Sequence, residues 1–366
     1  MPKKIKILFS IPNFDTAGSG KVVYDLVKGL DKEQFEPHIV CTHNKGAFFK
    51  QVESLGVPVH IFQFYTPYKP YISLPFRLLK IVNFFKKHQF DIIHSWHWSS
   101  DITEPLAAKL AGIPFVYTKK AMGWGNKVWL WRSKLSTCVI TINHSMQEQF
   151  FKNTKVKTQY LPLGVDTSHF QVHEKAYVSP EGITATSNDF VIVSVANLVP
   201  VKGIEVLLEA VSHLNNPRIK TFIVGDDQSA YAQDLKKRYT HLNHLHFTGK
   251  QRDVRPYLAL ADVCVISTLQ KGEGLPIAPL EAMASGNIVI GSEVPGVIDL
   301  LSNFQEQLFP AGDAQDLAKK ITAVMAMDGT QRKDLAMAMR KEVEQRFTLQ
   351  QMLEGHEGVY ARLAGR

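Results

Sequence analysis

Apolar and polar positions follow two successive series along this chain. In each series, short apolar runs that predict buried strands are followed by segments whose apolar residues recur every three or four positions, which predicts helices. The predicted strands of the first series are Ile5–Pro12, His38–Thr42, Val59–Phe62, Asp91–Ser95, Phe115–Thr118 and Cys138–Ile142. Those of the second are Phe190–Ala196, Thr221–Val224, His244–Phe247, Val263–Ser267 and Ile288–Gly291. This alternation is typical of parallel sheets covered by helices, so we predict two doubly wound, Rossmann-like α/β domains facing each other across a cleft.

The same pattern indicates where the domains end. The polar stretch 169–188 predicts a linker, and the tail 347–363 has the periodicity of an amphipathic helix. We therefore predict an N-terminal domain over 1–172, a C-terminal domain over 173–346 and a terminal helix over 347–366 that packs back on the first domain. A chain of 366 residues also exceeds the size at which a single hydrophobic core stops growing.

Composition is that of an ordinary soluble globular protein, with 45% hydrophobic and 21% charged residues. The three cysteines are scattered through apolar runs, which predicts buried free thiols in a reducing compartment. The basic start of the chain is followed by an apolar run too short for a signal peptide, and no apolar stretch approaches the roughly 20 residues that cross a bilayer. The sequence predicts a cytoplasmic protein, either free or peripheral on the inner face of the cytoplasmic membrane.

Charge is distributed unevenly between the two halves. Residues 1–172 carry 22 Lys and Arg against 11 Asp and Glu, whereas the remainder carries 20 against 23, and all five tryptophans fall in the first half. A basic, aromatic-rich surface fits an anionic membrane or a polyanion, although tryptophans buried in a core would give the same count. The predicted helix Leu74–His88 mixes cations with apolar residues. It either lies on a membrane surface or packs its apolar face on the sheet.

The stretch Glu273–Gly286 carries the strongest chemical signal. Glu273 stands on a turn rich in Gly and Pro, and Glu281 is placed at the start of a helical run, so both are predicted to face one pocket above the end of a parallel strand. Carboxylates accept hydrogen bonds from sugar hydroxyls, and the N–H groups at a helix N-terminus attract phosphate. This combination favours a nucleotide sugar as ligand. A solvated turn before an ordinary helix is the alternative.

Two segments of the first half are further candidates. The turn Gly18-Ser19-Gly20 separates the first strand from a helix, a placement that lets backbone approach a phosphate, although the full dinucleotide fingerprint and the P-loop lysine are missing. The segment Lys119–Arg132 interleaves Lys and Trp after a strand end, which predicts an acceptor site or an interfacial anchor. Stacking on single-stranded nucleic acid is a minor alternative.

These motifs resemble those of the GT-B glycosyltransferases, specifically the retaining glycosyltransferase family 4. In the second half the similar pieces are Val195–Gly203, Phe222–Asp226, Phe247–Gly249, Tyr257–Ser267 and the paired-glutamate stretch with Gly286 and Gly296 after it. In the first half they are the Gly18 turn, Asp91–His94, and Pro162–Asp166 with Phe170. The resemblance extends over nearly the whole chain, and its second-half motifs are the more specific ones.

The resemblance implies transfer of a sugar, with retention of configuration, from a nucleotide-diphosphate sugar to a saccharide or polyprenyl-linked acceptor in cell-surface polysaccharide or glycolipid synthesis. A UDP-sugar is the expected donor. Glu281 would bind the ribose, whereas Glu273 at the donor sugar and Lys202 at the diphosphate leaving group would be the catalytic residues. The other donor-binding residues implied are Gly18, Ser19, Gly20, Asn197, Gly249, Lys250, Gly274, Leu275 and Pro276. The predicted acceptor-binding residues are His97, Lys119, Lys120 and Trp124.

The chain departs from the family pattern at two places. Asn197 stands where many members have an arginine, and Lys119 and Lys120 stand where many have a histidine. Aligning Lys120 with that histidine leads to the hypothesis that Lys120 supplies the charge missing at Asn197. There is no Asp-X-Asp pair at a strand end and no His, Cys or Asp cluster with ligand spacing, so we expect Lys202 and helix N-termini to hold the diphosphate without a metal or other cofactor.

Other interpretations remain open at this point. Another GT-B enzyme, such as a sugar-nucleotide epimerase or a phosphorylase, would share the architecture. A non-catalytic module that binds a sugar nucleotide or a polyanion would share the basic first half. No nucleic acid partner is expected, and whether the transfer uses front-face attack or a covalent intermediate is not decided by any residue of the sequence.

Overall fold

A computed structural model of the chain describes residues 3–15, 18–46, 48–123, 125–270 and 273–365. The chain divides into two units, the first containing residues up to Pro162 together with those from Gln350 onward, and the second containing Leu163–Leu349. The predicted boundary at residue 172 falls inside the second unit. There the N–H of Val165 donates to the carbonyl of Phe347 at 2.9 Å, which ties the segment after Pro162 to the end of the second unit.

The described part of the first unit contains one parallel sheet of seven strands. The strands are β1 Ile5–Ser10, β2 Phe35–Cys41, β3 Val59–Ile61, β4 Ile92–Ser95, β5 Phe115–Lys119, β6 Cys138–Thr141 and β7 Thr158–Tyr160. Its helices before Pro162 are α1 Gly18–Gly29, α2 Phe49–Glu53, α3 Leu74–His88, α4 Thr103–Ala111, α5 Val128–Leu135 and α6 His144–Met146. The strand order is β3-β2-β1-β4-β5-β6-β7. The order therefore reverses between β1 and β4, and the carboxyl ends of these two strands form the switch point where such sheets bind ligands.

The second unit repeats this architecture. Its strands are β8 Phe190–Val195, β9 Ile219–Val224, β10 Leu245–Phe247, β11 Val263–Ile266, β12 Ile288–Ser292 and β13 Leu308–Phe309. Its helices are α7 Ile204–Leu214, α8 Ala230–Arg238, α9 Arg255–Leu260, α10 Ile277–Ala284, α11 Pro295–Leu300, α12 Ala314–Ala326 and α13 Gly329–Arg346. The described strands form one parallel sheet in the order β10-β9-β8-β11-β12-β13. Here the switch point lies between the carboxyl ends of β8 and β11.

The last helix, α14 (Leu349–Leu363), packs on the first unit through its residues from Gln350 onward. Leu353 fills the space above Gly29, where a Cβ would lie 2.4 Å from its Cδ1. Tyr360 is fully buried, and its hydroxyl lies 2.6 Å from Nδ1 of His94, a buried residue of β4. The sheet of the first unit is thus covered by residues from both ends of the chain.

Helix α3 packs against the core through Ile81, Val82 and Phe85, which are buried. Packing of the apolar face, one of the two interpretations of this segment, is therefore observed. Among the described helices, none combines the length and the apolar character needed to span a bilayer.

The predicted pair of parallel α/β domains is confirmed, but some local predictions were wrong. Helix α10 begins at Ile277, so Glu281 lies in its interior and not at its start. The helix starts earlier because Pro276 is extended, with φ −74° and ψ 139°, and Pro279 falls in the first turn, where a missing N–H breaks no intrahelical bond. The segment predicted as a linker contains a bridge between Val178 and Thr184. The sequence analysis also missed the short edge strands β7 and β13.

Candidate active site

Lys202 and Glu273 form an ion pair at the switch point of the second sheet. Lys202 ends a 3-10 turn that follows β8, and Glu273 lies between β11 and α10. The Nζ atom of Lys202 contacts Oε1 of Glu273, and the two side chains remain 20% and 13% exposed. Two residues that are 71 positions apart and were predicted to act together are therefore in contact.

The loops after β8 and β11 are held together by backbone contacts. Gly203 has φ +59°, and a Cβ there would lie 2.2 Å from the carbonyl of Ser267, so only glycine allows this approach. The hydroxyl of Ser267 donates to the carbonyl of Lys202 at 3.2 Å, and the N–H of Leu269 donates to the carbonyl of Val201 at 2.8 Å. These contacts fix the backbone that carries Lys202.

The turn that follows Glu273 is buried and closely packed. Gly274, Leu275 and Pro276 are buried, and a Cβ on Gly296 of α11 would lie 1.9 Å from the carbonyl of Gly274. The turn leads directly into the N-terminus of α10, and Glu281 is half-buried in that helix. Backbone N–H groups at this N-terminus have the arrangement that binds phosphate oxygens.

The remaining predicted donor-binding positions of the second unit lie along the same edge of the sheet. A Cβ on Gly225 would lie 1.9 Å from the carbonyl of Ala196, and the N–H of Gly225 donates to the carbonyl of Gly249 at 3.1 Å. Gly225 thus joins the loop that contains Asn197 to the loop that contains Gly249. Asn197 and Lys250 are exposed.

Burial lowers the pKa of Lys202 to about 8. The carboxylate of Glu273 acts in the opposite direction, because a neighbouring negative charge favours the ammonium form. A bound diphosphate would also favour the charged form. The site therefore supplies a cation next to a carboxylate.

In the first unit, the predicted acceptor residue Lys120 contacts the predicted donor-binding residue Ser19. Its Nζ atom donates to the hydroxyl of Ser19, in the first turn of α1, at 2.9 Å and to the carbonyl of Trp96 at 2.6 Å. Burial, followed by the charge of Arg132, lowers the pKa of Lys120 to about 7. Gly18, the first residue of α1, is exposed, whereas Gly20 is buried. A predicted acceptor residue and the glycine-rich turn are therefore parts of one cluster.

The other predicted acceptor residues are more enclosed. Lys119 is 3% exposed, donates from Nζ to the carbonyl of Gly123 at 2.9 Å and lies 4.1 Å from the ring centre of Phe150. Burial lowers its pKa to about 8. His97 is buried with its ring 4.2 Å from that of Tyr65, and burial together with Arg132 and Lys120 lowers its pKa to about 3. Trp124 lies outside the described residues.

The sequence analysis missed a buried ion pair at the switch point of the first sheet. Arg132 and Glu104 are both 0% exposed and are joined at 2.9 Å. Glu104 also accepts hydrogen bonds from the hydroxyls of Ser10 and Ser95, the last residues of β1 and β4. Arg132 lay in a segment interpreted as an acceptor site or anchor, and nothing in the helical pattern around Glu104 signals a partner 28 residues away.

One group of described residues has the composition of a metal site, which the sequence analysis did not identify. Candidate ligand atoms of His97, Asp101 and Glu104 lie within 4.8 Å of one another. The guanidinium of Arg132 lies 2.9 Å from Glu104 and 3.8 Å from Asp101. The carboxylates are therefore already balanced by a cation of the chain itself.

Comparison with known families and structures agrees with this geometry. The profile of the family described as Glycosyl transferases group 1 matches residues 179–345, and that of Glycosyltransferase Family 4 matches residues 16–169. The solved structure of HepE from Anabaena, in complex with UDP and glucose, is similar in fold, with a TM-score of 0.78 and 20% identity over 98% of this chain and 99% of that one.

Two relatives are similar at the sequence level. A Bacillus subtilis (strain 168) protein named as a teichuronic acid biosynthesis glycosyltransferase, TuaC, is 31% identical over 51% of this chain and 46% of its own length. The UDP-Gal:alpha-D-GlcNAc-diphosphoundecaprenol alpha-1,3-galactosyltransferase of Escherichia coli is 30% identical over 62% of this chain and 64% of its own length. Both alignments span less than two thirds of the relative. The two family profiles and the paired Rossmann-like units nevertheless agree, and the chain belongs to the GT-B glycosyltransferases of family 4.

Proposed function

We propose that this protein is a retaining glycosyltransferase that uses a UDP-sugar. The observation that carries the proposal is the contact between Lys202 and Glu273 at the switch point of the second sheet, next to the N-terminus of α10. This arrangement supplies a cation for a leaving diphosphate, a carboxylate for sugar hydroxyls and backbone donors for phosphate oxygens. Glu281 on α10 is the proposed ribose ligand.

Donor binding exchanges the partners of the ion pair. The diphosphate takes the place of Glu273 at Lys202, because it brings more negative charge and more acceptor oxygens. Glu273 is then free to accept hydrogen bonds from the sugar. When the bond between the sugar C1 and the diphosphate breaks, negative charge grows on the leaving oxygen, where Lys202 stabilises it. We propose that Lys202 and α10 do this without a metal.

The identity of the substrates is supported by the similar proteins. HepE was solved with UDP and glucose, and the Escherichia coli relative is named for a UDP-Gal donor and a diphosphoundecaprenol acceptor. We therefore propose a UDP-sugar as donor and a polyprenyl-linked or saccharide acceptor in cell-surface polysaccharide or glycolipid synthesis. The acceptor side is the carboxyl edge of the first sheet, where Lys120 meets Ser19. The enzyme would work in the cytoplasm, in peripheral contact with an anionic membrane. The hypothesis that Lys120 compensates for Asn197 stays a prediction.

The first experiment measures release of free nucleotide from UDP-, GDP- and ADP-sugars by the purified full chain. We expect slow hydrolysis of UDP-sugars, lost in Lys202→Ala and Glu281→Ala and kept in Lys319→Ala, a change at an exposed cation of the same unit. Binding without turnover, even when acceptor lipids are supplied, would instead indicate a sugar-nucleotide-binding module. Once an acceptor is identified, the anomeric configuration of the product, read by NMR, tests retention.

A further inference from the structure

Four large apolar side chains near the start of α3 are exposed to solvent. Tyr71 is 66% exposed, Ile72 91%, Phe76 75% and Leu79 51%. We call these four residues the apolar tip. Single exposed apolar residues are common on protein surfaces, but a contiguous group marks an interaction surface.

The apolar tip is built as one rigid face. The 3-10 turn Tyr71–Ser73 runs directly into α3, so that Ile72, Phe76 and Leu79 follow at spacings of four and three and share a side of the helix. Arg77 fastens the preceding loop to this helix by donating to the carbonyls of Pro67 at 2.6 Å and Pro70 at 2.7 Å. These bonds tie the loop before the tip to α3.

The charged residues of the segment that carries the apolar tip are all positive. Residues 54–90 contain no Asp or Glu. Lys69 and Lys80 are exposed on either side of the tip, and Lys86 and Lys87 are exposed farther along α3. Apolar and aromatic side chains bordered by lysines are the composition of surfaces that lie in the headgroup region of anionic bilayers.

The loop before the tip is bonded to the loop that follows β4. The hydroxyl of Tyr68 donates to the carbonyl of Ser100 at 3.2 Å and accepts from the N–H of Ile102 at 3.3 Å. This second loop also carries Trp98, which is 65% exposed and comes directly after the predicted acceptor residue His97. The apolar tip thus adjoins the edge of the sheet that we assign to the acceptor.

We propose that the apolar tip inserts into the headgroup region of an anionic lipid bilayer, with Lys69 and Lys80 at the lipid phosphates. The inference rests on the proposed function in one respect, because the bilayer would present the lipid-linked acceptor at the adjoining edge. A second copy of the chain is a poorer occupant. A two-fold contact through the tip would bring the lysines of both copies together, and residues 54–90 offer no carboxylate to pair with them.

The test is co-sedimentation of the full chain with vesicles of phosphatidylcholine, with or without phosphatidylglycerol. We expect the wild type to bind the anionic vesicles and not the neutral ones. Ile72→Ser/Phe76→Ser removes apolar area that the bilayer would bury, and it should weaken vesicle binding by at least about tenfold. Lys69→Gln/Lys80→Gln should weaken it by a smaller factor and reduce its salt dependence.

The matched control is Val178→Ser/Met337→Ser, which changes two exposed apolar residues of the second unit and should bind like the wild type. Thermal midpoints equal to that of the wild type check folding, which these exposed positions should not disturb. The proposal is overturned if the wild type does not bind anionic vesicles, or if Ile72→Ser/Phe76→Ser binds as well as the wild type. It is also overturned if sedimentation shows a dimer that this variant loses.

The vesicle assay and the donor assay separate the two proposals. Nucleotide release needs no membrane, so Ile72→Ser/Phe76→Ser should hydrolyse the donor at the wild-type rate while losing vesicle binding. If the wild type binds vesicles but neither binds nor hydrolyses any nucleotide sugar, the proposed function fails and the membrane surface stands. If the wild type hydrolyses the donor but does not bind vesicles, the proposed membrane contact of the apolar tip is refuted and the proposed function stands.

Discussion

Each sheet has an ion pair at its switch point, and the two pairs differ in how they are enclosed. In the first unit, Arg132 and Glu104 are 0% exposed, and Glu104 also accepts from the hydroxyls that end β1 and β4. In the second unit, Lys202 and Glu273 are 20% and 13% exposed and follow β8 and β11. The same topological position holds a closed polar network in one unit and an open pair in the other.

This difference separates a structural role from a chemical one. Glu104 is supported by Arg132 and two serines, so a ligand would have to replace several partners at once. Burial raises the pKa of Glu104, and Arg132 acts against that rise. The pair of Lys202 and Glu273 is partly exposed to solvent, so an anionic ligand can replace Glu273 as the partner of Lys202. We infer that the first pair locks two strands together, whereas the second is available to a substrate.

The largest effect should come from breaking the closed pair. Arg132→Met leaves the carboxylate of Glu104 buried without its cation, which typically costs about 3–5 kcal/mol of unfolding free energy. Urea denaturation of the variant measures this loss. Lys134→Met changes an exposed cation of the same helix and should stay close to the wild type. Equal stabilities for the two variants would refute the structural role of Arg132.

Breaking the open pair should affect activity and not stability. Lys202→Met removes the cation that we propose for the leaving diphosphate, and we expect kcat/KM to fall by about 10²–10³, as for other preorganised charges in active sites. Its thermal midpoint should stay near that of the wild type, because both groups are partly solvated. A large loss of stability with kcat/KM unchanged would reverse the two roles assigned above.

Lys120 tests an intermediate case, a half-buried cation whose observed acceptors are a hydroxyl and a carbonyl. Its pKa falls from 10.5 to about 7 on folding, so between these values the unfolded chain binds a proton that the folded chain lacks. Lys120 therefore contributes a rise in stability with pH that begins near 7, and above about 8 Lys119 and Lys202, whose pKa values burial also lowers, add to that rise. His94 and His97, which lie close by, are neutral throughout this window because burial lowers both pKa values.

The variant Lys120→Met should flatten the pH dependence of the unfolding free energy between about pH 7 and 8. It should also raise the thermal midpoint at pH 7 by about 2–4 °C. Thermal scans across the pH range measure both effects. Lys109→Met, a change in helix α4 at an exposed cation, serves as control. An unchanged slope in Lys120→Met between about pH 7 and 8, below the pKa values of Lys119 and Lys202, would show that another group is responsible.

The smallest effect is expected where α14 covers the central strands of the first sheet. Tyr360→Phe leaves Nδ1 of His94 without the hydroxyl that lies 2.6 Å away, at a cost of about 1 kcal/mol in unfolding free energy. Chemical denaturation measures this cost, and Tyr71→Phe, at an exposed hydroxyl, should cost nothing. If the two variants are equally stable, the buried hydrogen bond does not help to hold α14.

The sequence predicted what depends on local pattern and missed what depends on distant partners. Apolar runs located most strands, because burial on both faces leaves a continuous signal. Strand β13 has only two residues, and β7 reads Thr-Gln-Tyr, so neither contains an apolar run. Glu281 was placed at the start of a helix, but α10 begins at Ile277, because Pro279 is tolerated in a first turn.

The candidate site shows the same division. The family motifs predicted that Lys202 and Glu273 act together, and the structure places them in contact. The burial of Arg132 could not be predicted, because a cation among tryptophans reads as a surface residue until its partner is known. That partner, Glu104, lies in an otherwise ordinary helical pattern, so only the fold reveals the pair.

The position of α14 has a consequence for how the protein is made. Ribosomes release the strands of the first sheet early, but the helix that covers His94 follows only after the 187 residues of Leu163–Leu349. At roughly 5–20 residues per second, the surface around His94 stays uncovered for about ten to forty seconds. During that interval the nascent first unit exposes surface that α14 will later bury. We therefore expect the first unit to depend on chaperones until α14 has been synthesised.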